Sequence, residues 1–176
     1  MKTYLIPILF FLFAVTLGAQ GSTDANKLKN TIVVDSASHQ RILLGYFDRN
    51  VLQDTSFSWW FNSVYDMKEV DSTTASTFIN KIDNISIIIV MGTRCSDSRS
   101  VVPKLFKILD YIKFPEDKIS LIAVGRKKKS LGHEIDNLKI DLVPTIIFYR
   151  KQQEIGRIIE SPAESLEKDI AKILLK

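Results

Sequence analysis

The sequence predicts an α/β protein: a mixed central sheet flanked by helices, with a small N-terminal extension. Three observations lead there. Residues 85–91 and 119–124 are near-continuous apolar, β-branched runs, as strands buried on both faces require. From Asp71 onward helical patterns alternate with these runs, which implies parallel pairing through right-handed crossovers. Two further β-like runs, 145–149 and 154–159, are joined only by Lys151-Gln152-Gln153, which implies a closing antiparallel hairpin. The chain has 176 residues, 45% of them hydrophobic and 25% charged, a balance that suits one sizeable core rather than disorder.

Along the chain, Lys2 precedes an uncharged apolar run, 5–17, and then Gly18-Ala19-Gln20-Gly21. This is the pattern of a secretory signal cut near Ala19, and the run is short of the roughly 20 residues that a membrane span needs. A polar lead-in follows to Asn30. Residues 31–34 and 41–46 read as two short strands of a hairpin, and Asp48 as the N-cap of a short helical turn through Val51-Leu52-Gln53. Ser56 is expected to cap a helix carrying Trp59, Trp60, Phe61, Val64 and Tyr65. There the i, i+4 pairs Trp60/Val64 and Phe61/Tyr65 share a face. Such aromatic density suits packing on the main domain or, alternatively, a peptide- or partner-binding face.

The main domain is expected over 71–176, after a signal segment at 1–19 and an extension at 20–70. Ser72 or Thr73 is placed to cap a helix through Phe78, Ile79 and Ile82. A long helix over 97–113 has Val101, Val102, Leu105, Phe106, Ile108, Leu109 and Ile112 on its apolar side. Residues 131–138 suggest a short helix. The closing helix, 163–175, has Leu166, Ile170, Ile173 and Leu174 on one side and an opening at Ser161-Pro162.

Chemistry concentrates at Cys95-Ser96-Asp97-Ser98, between the 85–91 strand and the long helix. Cys95 is the only cysteine, so no internal disulfide forms, even in an oxidising compartment. A helix N-terminus is worth about 0.3–1 kcal/mol to an anion, up to about 2, which is barely enough to secure a thiolate. The neighbouring Arg94 and Arg99 therefore decide the reactivity, with Asp97 opposing them. His39 and His133 stand far from Cys95 with no ligand spacing, so no metal and no cofactor is expected. A net charge of +4 is too small to imply nucleic acid. The run Arg126-Lys127-Lys128-Lys129 reads as a solvated loop or, more sharply, as a patch for an acidic partner.

These residues together resemble the thioredoxin-like family over about 71–176. The likeness rests on the strand–Cys95-x-x-Ser98–helix junction in IIIVMGTRCSDSRSVVPKL and on Pro103 five residues beyond Ser98. It rests also on Val143-Pro144-Thr145, similar to the family's cis-proline loop, and on the ending PTIIFYRKQQEIGRIIESPAESLEKDIAKIL. The string GT-x-C-x-DS-R-x-x-VP resembles exported bacterial members, including those of Bacteroidetes. The resemblance implies Cys95 and Ser98 as catalytic residues and Arg94, Val143 and Pro144 as substrate contacts, the backbone of Val143 pairing with an extended peptide. Three departures qualify it. Ser98 stands where dithiol members carry a second cysteine, Arg94 where a tryptophan is common, and Ile89 where a buried acid assists the second thiol. A lone thiol cannot resolve its own mixed disulfide. The expectation is therefore an exported, periplasmic or secreted protein in monothiol–disulfide exchange with a protein or low-molecular-weight thiol. An external thiol turns it over, and its membrane contact is limited to the signal segment. The alternative is a non-enzymatic peptide- or partner-binding module; peroxide reduction through Cys95 ranks below both, because no second cysteine resolves a sulfenic acid.

Overall fold

The computed structural model describes residues 29–176, so the signal-like segment and most of the polar lead-in lie outside the described residues. The chain runs through β1 (Thr31–Val34), β2 (Arg41–Phe47), α1 (Ser58–Met67), α2 (Ser72–Phe78), β3 (Ile85–Met91) and α3 (Ser96–Tyr111). It continues through β4 (Ile119–Ala123), β5 (Thr145–Arg150), β6 (Gln153–Ile159) and α4 (Leu166–Leu174). All six strands form one mixed sheet in the order β1-β2-β4-β3-β5-β6. Strands β3 and β4 are parallel, as the intervening helix α3 demands, and every other pairing is antiparallel. The N-terminal hairpin continues the sheet, with Gly45 opposite Ala123 and Phe47 opposite Leu121.

The strand period of two explains why β3 is apolar throughout. Ile85, Ile87, Ile89 and Met91 point into the larger of two cores, where the buried residues of all four helices gather. Val90 points the other way, into a smaller core with Ile122 and Val124. Ile135, Leu138, Ile140 and Val143 of the segment between β4 and β5 pack against that second core. Helix α3 is held to α1 by Phe61 and Phe106, whose rings are 5.9 Å apart. It is held again by Asp110, which accepts from both Arg49 Nη1 (2.7 Å) and Nη2 (2.6 Å) and from the Tyr65 hydroxyl (2.6 Å).

Local expectations fail where side chains compete with the helix. Residues 131–138 form turns, not a helix. The Glu134 carboxylate is drawn back onto the Ser130 hydroxyl and the Gly132 N–H, and Asp136 onto His133 Nδ1, so the acceptors serve local turns. The closing helix starts at Leu166 rather than near Ala163, because Ser165, not Ser161, is its N-cap and accepts from Lys168 N–H. Asp71 caps α2 in the same way, taking the role expected of Ser72 or Thr73. Ser56 does not cap α1. Its hydroxyl accepts from Arg41 Nη1, and the helix begins after Phe57 without a side-chain cap. The Asp48 carboxylate is engaged by Lys29 and Asn30 and makes no cap bond to the 49–53 turn.

Candidate functional site

Cys95 occupies the N-cap position of α3, with an extended backbone (φ −75°, ψ 126°), and is partly exposed. The chain reaches it through a tight turn in which Cys95 N–H donates to Gly92 O at 2.9 Å. Two other elements meet it there. The Val143–Pro144 peptide bond is cis. The carbonyl oxygen of that same peptide, Val143 O, accepts from Cys95 Sγ at 3.1 Å. From the other side, the turn between β1 and β2 brings Asp35 Oδ1 to 2.9 Å from Arg94 Nη1.

Of the residues singled out by sequence, Cys95, Arg94, Val143 and Pro144 thus converge. Ser98 is near in sequence but differently employed: it is fully buried, and its hydroxyl oxygen accepts from Gly92 N–H at 3.2 Å. Among the described residues it makes no hydrogen bond to the thiol. It closes the turn that delivers Cys95, so its visible contribution is to shape. The cysteine also lacks a side-chain cap bond to the helix N–H groups. Its one hydrogen bond, to a carbonyl, requires the proton that a thiolate lacks.

The two arginines are arranged unequally. Arg94 is compensated by Asp35, whose carboxyl is held below the usual carboxylate range, first by the Ser38 hydroxyl and more weakly by Arg94 and Arg126. Arg99 donates through Nε to Thr93 O at 2.7 Å, and its guanidinium carbon lies 5.5 Å from the Trp59 ring and 5.7 Å from the Trp60 ring. Burial and the nearby Arg94 push its pKa down, while Cys95 pulls it up, so the three groups sense one another. Trp59 and Trp60 are adjacent on α1 but part company. In the fold Trp60 is 4% exposed within the core, and Trp59 is 64% exposed beside Arg99.

A cleft of about 450 Å³ opens beside the sulfur, lined by Cys95, Arg94, Asp35, Arg126, Lys128 and Val143. Glu160 lines it too. Nothing in the sequence singles out Asp35, Lys128 or Glu160. Lys128 was only part of a basic run, and no local pattern announces that three distant turns share one cleft.

No protein-family model matches the sequence, and no curated protein matches it at a significant level. Among solved structures, the chain is similar to a Pseudomonas aeruginosa protein of unknown function: 15% identity, 67% of this chain and 81% of that one covered, TM-score 0.46. It is similar also to thioredoxin O2 of Arabidopsis thaliana (15% identity, 58% and 84% covered, TM-score 0.39). Mitochondrial thioredoxin 3 of Saccharomyces cerevisiae gives 16% identity, with 64% and 97% covered and a TM-score of 0.38.

Proposed function

We propose that this is an exported, thioredoxin-like protein that carries out monothiol–disulfide exchange at Cys95. One observation carries the reading: the only sulfhydryl of the protein stands partly exposed at the head of α3, on the wall of an open cleft, 3.1 Å from the carbonyl before Pro144. In the reaction Cys95 gives up its proton and its sulfur attacks one sulfur of a disulfide. The old S–S bond breaks, Cys95 is left in a mixed disulfide, and the departing thiolate takes up a proton. A second, external thiol then attacks the substrate sulfur of that mixed disulfide, and Cys95 leaves as the thiol. Both half-reactions conserve electrons within the disulfide pool, and neither needs a second cysteine in the chain.

On this reading the residues around the sulfur have different roles. Gly92 and Ser98 fix the turn, Arg94 and Arg99 supply positive charge near the position where the thiolate develops, and Val143 O holds the thiol until it ionises. Mixed-disulfide formation with bis(2-hydroxyethyl) disulfide, followed by intact mass, tests the reading. One adduct per chain, absent in Cys95→Ser and removed by added 2-mercaptoethanol, is expected. A folded protein that reacts no faster than a cysteine tripeptide refutes catalysis. The exposed Trp59 favours a second reading, a binding module in which Cys95 has no role. That reading requires Cys95→Ala to retain every function of the protein.

A further inference from the structure

We infer that the cleft beside Cys95 takes a small, carboxylate-bearing disulfide and is closed to an extended polypeptide. This rests on the reading of Cys95 as an exchanging thiol and names the substrate class of that site.

The first argument is the state of the backbone in front of the sulfur. A peptide that docks as an added strand needs free carbonyls and N–H groups on the receiving segment. Here four successive carbonyls already accept a hydrogen bond, and exchange at Cys95 frees only one of them, Val143 O. Asp141 O accepts from the Lys128 ammonium, Leu142 O from the Thr145 hydroxyl (2.6 Å), Val143 O from the Cys95 thiol (3.1 Å) and Pro144 O from Glu160 N–H (2.7 Å). Pro144 has no N–H to offer. An incoming strand would have to displace Lys128 and part Glu160 from the loop, whereas a small molecule leaves the Glu160 contact in place and meets Lys128 through the ammonium's remaining N–H donors.

The second argument is the wall opposite. The β1–β2 turn reaches the site through Asp35 and ties down Arg94, and the 125–129 turn closes back on itself through Gly125 N–H to Lys129 O at 2.9 Å. Between these turns and the 141–144 loop lies the cleft of about 450 Å³, the size of a site for a small ligand. Its charges are not balanced. Arg94 and Asp35 pair with each other, Arg126 is 3.9 Å from the already engaged Asp35, and Lys128 donates only to a neutral carbonyl. Against Glu160, the two remaining cations leave the cleft positive. A carboxylate two or three carbons from a disulfide sulfur would find Lys128 or Arg126 while that sulfur meets Sγ.

Four disulfides of graded character test this: 3,3′-dithiodipropionate (dianionic), bis(2-hydroxyethyl) disulfide (neutral), cystamine (dicationic), and an uncharged eight-residue peptide joined through its cysteine to 2-mercaptoethanol. The adduct rate at Cys95 is read by intact mass and divided by the rate of a cysteine tripeptide with the same disulfide. The dianion is expected to react about tenfold faster than the dication at low salt, the peptide about tenfold slower than the hydroxyethyl compound. High salt and the Arg126→Gln/Lys128→Gln variant, checked for folding by circular dichroism, should erase the charge preference; the salt arm decides the question on the unmodified protein. Equal rates across the charge series, or a peptide as fast as the small neutral disulfide, overturn the inference while leaving exchange at Cys95 intact. No adduct with any of the four overturns the exchange reading and this inference together.

Discussion

Replacing Asp110 by Asn should loosen the helix that presents Cys95, and the loss should depend on pH in a defined direction. Asp110 lies near the far end of α3 and takes three short hydrogen bonds, two from Arg49 and one from Tyr65. Arg49 in turn lies 4.4 Å from the centre of the Phe106 ring. Asparagine keeps one acceptor and turns a donor toward a donor at the other position. Hydrogen bonds to charged groups are worth about 1.5–3 kcal/mol when buried. Asp110 is about one-third exposed (36%) and Arg49 is 22% exposed, so solvent screening reduces the total to about 1–2 kcal/mol. Burial raises the Asp110 pKa, but the bonds to Arg49 and Tyr65 outweigh it, and the carboxyl is held below its usual value. A carboxyl with a depressed folded-state pKa contributes stability above its unfolded pKa, about 3.9, and that contribution fades as pH falls through the folded value. Urea unfolding of both proteins between pH 8 and pH 3 checks this. The gap should be about 1–2 kcal/mol and flat down to about pH 5, then narrow below about pH 4. A gap under about 0.5 kcal/mol at pH 7, or one that widens in acid, would refute the reasoning.

Two further outcomes follow from other contacts. Asp35→Asn keeps an oxygen for Ser38 but removes the anion from Arg94, so iodoacetamide should modify Cys95 several-fold faster at low salt, an advantage that high salt abolishes; an unchanged rate would show that Arg94 does not influence the sulfur. Gly156→Ala places a Cβ 2.9 Å from Ile173 Cγ1 of α4 and should cost about 1–3 kcal/mol in urea unfolding, and the cost should be smaller when measured in an Ile173→Ala background, which removes both γ carbons.

The sheet was the most legible part of the fold. Runs such as 85–91 must be apolar on both faces, and no other element of that length and β-branching competes. Helix ends were less legible because a cap is a contest among neighbouring hydroxyls and carboxylates. Asp71 prevailed over Ser72, and Ser165 over Ser161, by reaching the right N–H. The 131–138 segment has the apolar spacing of a helix, but Ile135 and Leu138 meet the second core from a chain of turns. At the site, the meeting of Cys95, Arg94 and Val143 could be anticipated from the motif. The use of Ser98 as a turn clasp, the compensation of Arg94 and the separation of the two tryptophans could not, because each depends on a partner distant in sequence or on which face of α1 turns inward.

That distance has a consequence for biogenesis. The sulfur precedes its carbonyl partner by 48 residues, and Arg94 follows Asp35 by 59. As the polypeptide emerges N-terminus first, the thiol lacks this partner until the β5 region has left the ribosome. For that interval it is an ordinary cysteine in whatever redox milieu surrounds it, open to stray coupling with other nascent chains. Completion of the C-terminal hairpin is therefore also the moment at which the sulfhydryl acquires its shelter.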